Sequence, residues 1–298
     1  MITREYISKK AADKGFSAAY CCAPLPEDRA PEGVKTFILL LRAYQAQDGL
    51  VDAFYPASNA AYHAAHALAE EIKQECETQT WVLSNLHLKP ICTRAPGFAR
   101  GLNTLNYRKE YGSKFCLEMI GLSEAVSDEE KADSYVLPCE TCRRCMQACP
   151  GGAISPDGFV KEKCIRFYML NGKPMPEHLR PYIGAEQGSY AVLGCDICQR
   201  VCPGNAQTEA MRDTGKYEFT LEELLQCTPE TLQRFGEIYG RNYAVRNRII
   251  AQALLAAGNS GDLKYLPYIE VLRASASPAV QEHAAWAAEN IKKIQNNY

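Results

Sequence analysis

The sequence has 298 residues, 47% hydrophobic and 23% charged, with a formal net charge of −2. That length suggests about two domains, and the near-neutral charge provides no global basic field of the kind that advertises nucleic acid. The charged N-terminus, Met1 to Gly15, has no apolar signal core, and the longest apolar candidate, Phe37 to Leu41, is five residues, so neither secretion nor a membrane span is expected. Fourteen cysteines without a signal segment imply a reducing, cytoplasmic setting in which thiols serve metal.

In chain order, residues 1–15 are expected to form a short helix with Tyr6, Ile7, Ala11 and Ala12 on its apolar face and Gly15 as its C-cap. Phe16 to Ala23 suits a strand, ended by the breakers Pro24, Pro26, Pro31 and Gly33. Val34 to Leu41 is the clearest strand, and its continuous apolar run suits a central place covered on both faces. Ser58 can cap a helix reaching Glu77, with Tyr62, His66, Ala69 and Ile72 at helical spacing. His63 and His66 lie three apart on that helix, but no third ligand stands at a helpful spacing, which favours packing or surface roles over a metal. Trp81 to Leu83 suits another strand. Leu86 to Leu105, with two prolines and two glycines, reads as loop, and Ser127 to Asp133 as a polar linker.

The linker precedes the most informative stretch: Cys139-x2-Cys142-x2-Cys145-x3-Cys149-Pro150, then Cys164, then Cys195-x2-Cys198-x3-Cys202-Pro203. Each cubane iron–sulfur cluster takes four thiolates, and the fourth cysteine of such a run ligates the neighbouring cluster. This assigns Cys139, Cys142, Cys145 and Cys202 to one 4Fe–4S cluster and Cys149, Cys164, Cys195 and Cys198 to a second. Zinc also favours Cys-x2-Cys pairs, but it does not account for a further Cys three residues on and followed by Pro, twice. Disulfides would need an oxidising compartment. The six other cysteines, Cys21, Cys22, Cys76, Cys92, Cys116 and Cys227, are expected to be buried small apolar residues.

Leu170 to Gly188 reads as an irregular excursion between the two cysteine groups. Thr220 caps a small helix through Leu225. The chain then becomes helical and repeat-like: Asn242 to Ala257, a turn at Gly258 to Asp262, Leu263 to Arg273, and a last helix from Ser277-Pro278 to Ile294. Val280, Ala284, Ala287 or Ala288, Ile291 and Ile294 form one stripe on that helix. Residues 241–298 hold seven Lys/Arg against four Asp/Glu, a balance more in keeping with a solvated helix face than with a phosphate-facing surface.

With these motifs in hand, the chain resembles the epoxyqueuosine reductases of tRNA queuosine synthesis. The resemblance lies in CxxCxxCxxxCP, in Cys164-Ile165, and above all in Gly194-Cys-Asp-Ile-Cys-Gln-Arg-Val-Cys-Pro-Gly-Asn205. Arg246-Asn247, Gly258 to Asp262 and Glu282-His-Ala-Ala-Trp286 are similar to the family's HEAT-like tail. Tyr62-His63, Gly101-x-Asn103-Thr104-Leu105 and Gly112-Ser113 are similar to fragments of its cobalamin-binding domain.

The resemblance implies an α+β fold with three parts: an α/β sandwich-like cobalamin-type domain over residues 1–132, a ferredoxin-like double 4Fe–4S module over 133–205, and HEAT-like helices over 206–298. It implies two 4Fe–4S clusters passing electrons to a cobalamin, which deoxygenates epoxyqueuosine in tRNA, with electrons from a low-potential donor such as a ferredoxin or flavodoxin. Gly101, Asn103, Thr104 and Ser113 would meet the corrinoid. The chain departs from the family at Leu86-His-Leu-Lys-Pro90-Ile-Cys-Thr93-Arg94, where His87 stands in place of the proposed proton-donating Asp and Thr93 in place of a Glu; Ala95-Pro-Gly-Phe98 replaces a Gly-rich segment. His87 is therefore the candidate general acid. The alternatives are a double-cluster electron carrier without corrinoid chemistry, and a corrinoid reductase acting on another substrate.

Overall fold

The computed structural model describes residues 2–126, 136–211 and 218–297. The chain divides into two compact units, Met1–Gln45 with Pro56–Thr141, and Ala46–Tyr55 with Cys142–Tyr298. The polar linker expected at Ser127 to Asp133 lies outside the described residues.

The first unit opens with helix α1 (Arg4–Asp13), whose Thr3 side chain accepts from the Tyr6 N–H. Ile7 and Ala11 are buried, whereas Ala12 is exposed and Tyr6 reaches sideways to Glu75. The expected apolar face is thus narrower, since a helix with one covered side buries only the i, i+4 pair. Strands β1 (Ala18–Cys22) and β2 (Thr36–Ala43) follow, then helix α2 (Phe54–Cys76), β3 (Thr80–Val82), helix α3 (Leu88–Cys92), the β4–β5 hairpin (Phe98–Arg100, Asn106–Arg108), and β6 (Phe115–Leu122).

The main sheet has order β1-β2-β6-β3 and every pairing in it is antiparallel. β2 is central, as its apolar run requires: residues 36–41 are buried without interruption. β6 lies beside it, with Leu40 opposite Glu118 and Ile38 opposite Ile120. This second long buried strand has no counterpart in the sequence reading, because Glu118 and Gly121 break its apolar run. One sheet face packs Tyr20, Phe37, Leu39, Phe115 and Met119 against Ile91, Cys92 and Phe98.

α2 begins four residues before the expected cap, with Pro56 in its first turn, where a missing N–H costs nothing. Its buried stripe is Ala61, Ala65, Leu68, Ala69 and Ile72, and Tyr62 and His66 are exposed. Ala69 and Ile72 lie on the stripe read from sequence, whereas in the first half of the helix Ala61 and Ala65 face inward in place of Tyr62 and His66. Lys10 of α1 bridges Glu71 and Glu75 of α2 at 2.6 Å each.

The second unit carries most of the cysteine motif and the helices after it. One core joins Ile165, Met169, Met175, Leu179, Val192 and Ile197 to Leu224, Phe235, Leu254, Val280 and Ile291. The cluster-bearing segment and the tail therefore share one hydrophobic interior, where the sequence reading lays out separate segments. α4 (Cys139–Cys142) straddles the boundary between the units, and the helices after it are α5 (Arg144–Ala148), α6 (Ile165–Asn171), α7 (Ile197–Arg200), α8 (Ala206–Ala210), α9 (Leu221–Gln226), α10 (Pro229–Tyr239), α11 (Arg246–Ser260), α12 (Leu266–Leu272) and α13 (Pro278–Asn296). A two-stranded hairpin, β7 (Ile154–Ser155) and β8 (Gly158–Phe159), separates α5 from α6.

Thr220 caps α9 through a capping box with Glu223, as read from sequence. α11 runs through the expected turn at Gly258 and ends at Gly261 (φ +67°), the glycine whose conformation actually stops it. Gly258 is inside the helix because its bare Cα touches α13: a Cβ there would lie 2.8 Å from the Ala287 backbone. Among the described residues no helix is long and apolar enough to cross a membrane.

Candidate metal centre

The site grows from short turns that the cysteine spacing makes possible. α4 is a single turn with Cys139 first and Cys142 last. Arg143 adopts a left-handed conformation (φ +52°), turning the chain into α5, which carries Cys145. After α5 the backbone of Cys149 is extended, and Pro150 directs the chain away. Gly151 then passes beneath the Lys163 carbonyl; a Cβ there would lie 1.8 Å from that oxygen, so only glycine fits. This close passage brings the Cys149 turn against the residue before Cys164.

Cys164 stands at the N-cap of α6. Gly194 (φ +111°) packs against Asp52, where a Cβ would lie 2.5 Å from the Asp52 Cβ. Asp52 donates its N–H to the Leu193 carbonyl at 2.9 Å, and Val192 donates to Leu50 at 2.9 Å. Residues 50–52 thus brace the approach to Cys195. α7 carries Cys198 and leads to Cys202-Pro203.

The thiols of the second set are electrostatic neighbours: Cys164 feels Cys149, and Cys195 feels Cys198 and Cys164. Burial pushes the Cys164 and Cys195 thiols up, and backbone N–H groups of Arg166, Phe167 and Ile197 oppose that rise. The Ala153 N–H points at Cys149 Sγ at 3.3 Å. Of the first set, α5 with Cys145 packs against α7, and Cys202 lines a surface groove with Arg144, Gln147, Ala148 and Arg200.

Arg166 was not singled out in the sequence. It lies two residues past Cys164, and its Nε donates to the Tyr55 hydroxyl at 3.0 Å, a partner 111 residues away. Desolvation pulls its pKa down, but Tyr55, Tyr243 and Asp52 outweigh it, so the guanidinium stays charged.

The first unit holds the other candidates. His87 is exposed at the N-cap position of α3, and its ring makes no capping hydrogen bond. Gly101 to Leu105 forms a turn closed by Gly101 N–H to Leu105 O at 2.9 Å and Thr104 N–H to Gly101 O at 2.9 Å, with Thr104 at φ +63°. Asn103 is buried; its Nδ2 donates to the Tyr107 hydroxyl at 2.8 Å and its Oδ1 accepts from the Leu105 N–H at 3.3 Å. Ser113 is buried. His63 and His66 both pack against the Tyr62 ring, at centroid distances of 5.4 and 4.5 Å. Of the six cysteines outside the motif, Cys92, Cys116 and Cys227 are buried, whereas Cys21, Cys22 and Cys76 are partly exposed.

Residues 138–205 match the model of a 4Fe-4S double cluster binding domain. An epoxyqueuosine reductase of Alicycliphilus denitrificans is 32% identical over 207 residues, covering 63% of this chain and 54% of that protein. In sequence and in fold, this chain is similar to the epoxyqueuosine reductases. The structure of the epoxyqueuosine reductase from Streptococcus thermophilus superposes with a TM-score of 0.77 at 20% identity, covering 98% of this chain and 91% of that one. An epoxyqueuosine reductase crystallised with an epoxyqueuosine-modified tRNA-Tyr stem loop has a TM-score of 0.73 at 19% identity. The chain spans about half the length of the curated relatives it matches, 51% to 59% of the first five.

The donors present fit two clusters: the soft thiolate set that iron–sulfur cores require is there in full, and amide N–H groups point at sulfurs of the second set. Asn103 and Gly101 do not fit a corrin as direct contacts. Both ends of the Asn103 amide are engaged within the loop. The space beside Gly101 where a side chain would start is filled by Asn103 Oδ1 and Tyr107 Cε2, which a Cβ would meet at 2.6 and 2.8 Å. No step is therefore derived through a corrinoid.

Proposed function

We propose that this chain is a cytoplasmic iron–sulfur oxidoreductase of the epoxyqueuosine reductase type. The observation that carries the reading is the eight-cysteine double-cluster pattern within residues 138–205, in a fold that matches these reductases over nearly its whole length. Cys139, Cys142, Cys145 and Cys202 would hold the first 4Fe–4S cluster and Cys149, Cys164, Cys195 and Cys198 the second. Each cluster stores one electron at low potential when bound, so the pair matches a two-electron reduction.

The substrate class in this reading is the epoxide of a modified tRNA base. Removing its oxygen takes two electrons and two protons and releases water, leaving a carbon–carbon double bond. The electrons would come from a low-potential carrier such as a ferredoxin or flavodoxin. His87 is the proposed proton donor: its ring is exposed and forms no hydrogen bond among the described residues, so it can turn toward a bound base. The protein's part is to hold the clusters at fixed positions on half-buried thiolates.

A second reading, a double-cluster electron carrier without corrinoid chemistry, is favoured by the self-closed Gly101–Leu105 turn. Anaerobic reconstitution with iron counting, followed by corrinoid titration read by absorbance and EPR, separates the two. Eight irons with a base-off corrinoid, and turnover of epoxyqueuosine-containing tRNA, support the reductase. Eight irons without corrinoid affinity support the carrier, and fewer than eight irons defeat both.

A further inference from the structure

Arg166 is a cation two residues past Cys164, in the second cysteine set, and none of its hydrogen bonds goes to a carboxylate. Its backbone N–H and that of Phe167 point at the Cys164 sulfur, and its side-chain charge is felt there. The guanidinium carbon stands 5.1 Å from the Phe54 ring centroid and 5.5 Å from that of Tyr55. Its Nε donates to the Tyr55 hydroxyl, and Tyr243 packs edge-on against Tyr55 at 4.8 Å. Among the described residues Arg166 forms no ion pair. Asp52 is the carboxylate within electrostatic reach, and its Oδ1 accepts from the Phe54 N–H at 3.0 Å.

Aromatic walls around a cation remove water without removing charge. A charge in such a place acts over a longer distance than one in solvent, because little dielectric screens it. A cluster held by four thiolates gains a negative charge on reduction, so a fixed cation nearby favours the reduced form.

We infer that Arg166 sets the reduction potential of the cluster held by Cys149, Cys164, Cys195 and Cys198, raising it relative to a neutral side chain at that position. The inference rests on the double-cluster reading above. The step is a single electron taken from a low-potential reductant: the oxidised cluster becomes the reduced cluster, no bond breaks and no proton is taken up. Arg166 is thus a positioning charge that biases where an electron rests in the chain, and the Phe54–Tyr55–Tyr243 group holds it in place.

The test is an anaerobic redox titration of the reconstituted chain with dithionite, followed by EPR so that the two clusters are resolved. Arg166→Gln is expected to keep eight irons and to shift one of the two potentials downward by tenfold or more in the one-electron equilibrium constant, ~59 mV. The other potential should stay at its native value, and Arg166→Lys should restore the first. If the Gln variant does not load iron, Arg166→Met, which keeps the stem against the aromatic rings, takes its place. Eight irons with both potentials unmoved would overturn the role of Arg166 while leaving the clusters standing. Fewer than eight irons in the native chain would overturn the cluster reading and this inference together.

Discussion

The Lys163 carbonyl oxygen occupies the space where a Cβ on Gly151 would stand, 1.8 Å from that position. Gly151 follows Cys149-Pro150 and Lys163 precedes Cys164, so this single contact joins the turns that carry two proposed ligands of the second cluster. Gly151→Ala should push them apart. The expected outcome is a loss of iron from eight toward four per chain and a stability cost of ~1–3 kcal/mol, the usual range for overpacking. Iron analysis and thermal unfolding measure both.

His283 of α13 is buried between two backbone groups: Nδ1 lies 2.7 Å from the Ala251 carbonyl, and Nε2 accepts the Met175 N–H at 2.8 Å. The ring must be neutral, with its proton on Nδ1, to satisfy both. Burial lowers its pKa from 6.5 to about 4, with a smaller lowering from Arg180. A base with a depressed folded pKa favours folding while both states are neutral, above the unfolded pKa, and that contribution is lost as pH falls through the window from 6.5 to 4. The full loss is ~3 kcal/mol for a shift of this size. Urea unfolding of the second unit at pH 7 and pH 4.5, native against His283→Gln, should show the slope in the native chain and a flatter one in the variant.

Glu118 gives the first unit the opposite slope. It stands on β6 opposite Leu40, and burial lifts its carboxyl to about 7. An acid with a raised folded pKa contributes nothing unfavourable while protonated in both states, below about 4.5; stability is then lost as pH rises through 7. Glu118→Gln should therefore stabilise the first unit at pH 8 by ~2–3 kcal/mol and leave it unchanged at pH 4. Hydrogen exchange resolved on β2 and β6 would follow it, and equal stability of the two proteins at pH 8 would refute the assignment.

Asn103 holds its own loop together. Asn103→Ala removes the bond to Tyr107 and leaves the Leu105 N–H without its partner. The expected cost is ~1–3 kcal/mol in the first unit, with iron content unchanged. If corrinoid affinity exists and survives in this variant, the cofactor is held by groups other than the Asn103 amide.

The cysteine spacing by itself determined the double-cluster module, because ligand geometry is local: two intervening residues close a turn, and three with a proline leave it. β2, the Thr220 capping box and the stripe on α13 were legible for the same reason, since period and caps are encoded within a few residues. The tertiary structure alone decided the rest. In the first half of α2, Ala61 and Ala65 rather than Tyr62 and His66 are buried. β6 was hidden by a buried glutamate that alternation rules count as exposed. His283 and Arg166 acquire their meaning from Met175 and Tyr55, 108 and 111 residues distant in the chain. Burial and partner choice across such separations depend on packing, and no local pattern carries that information.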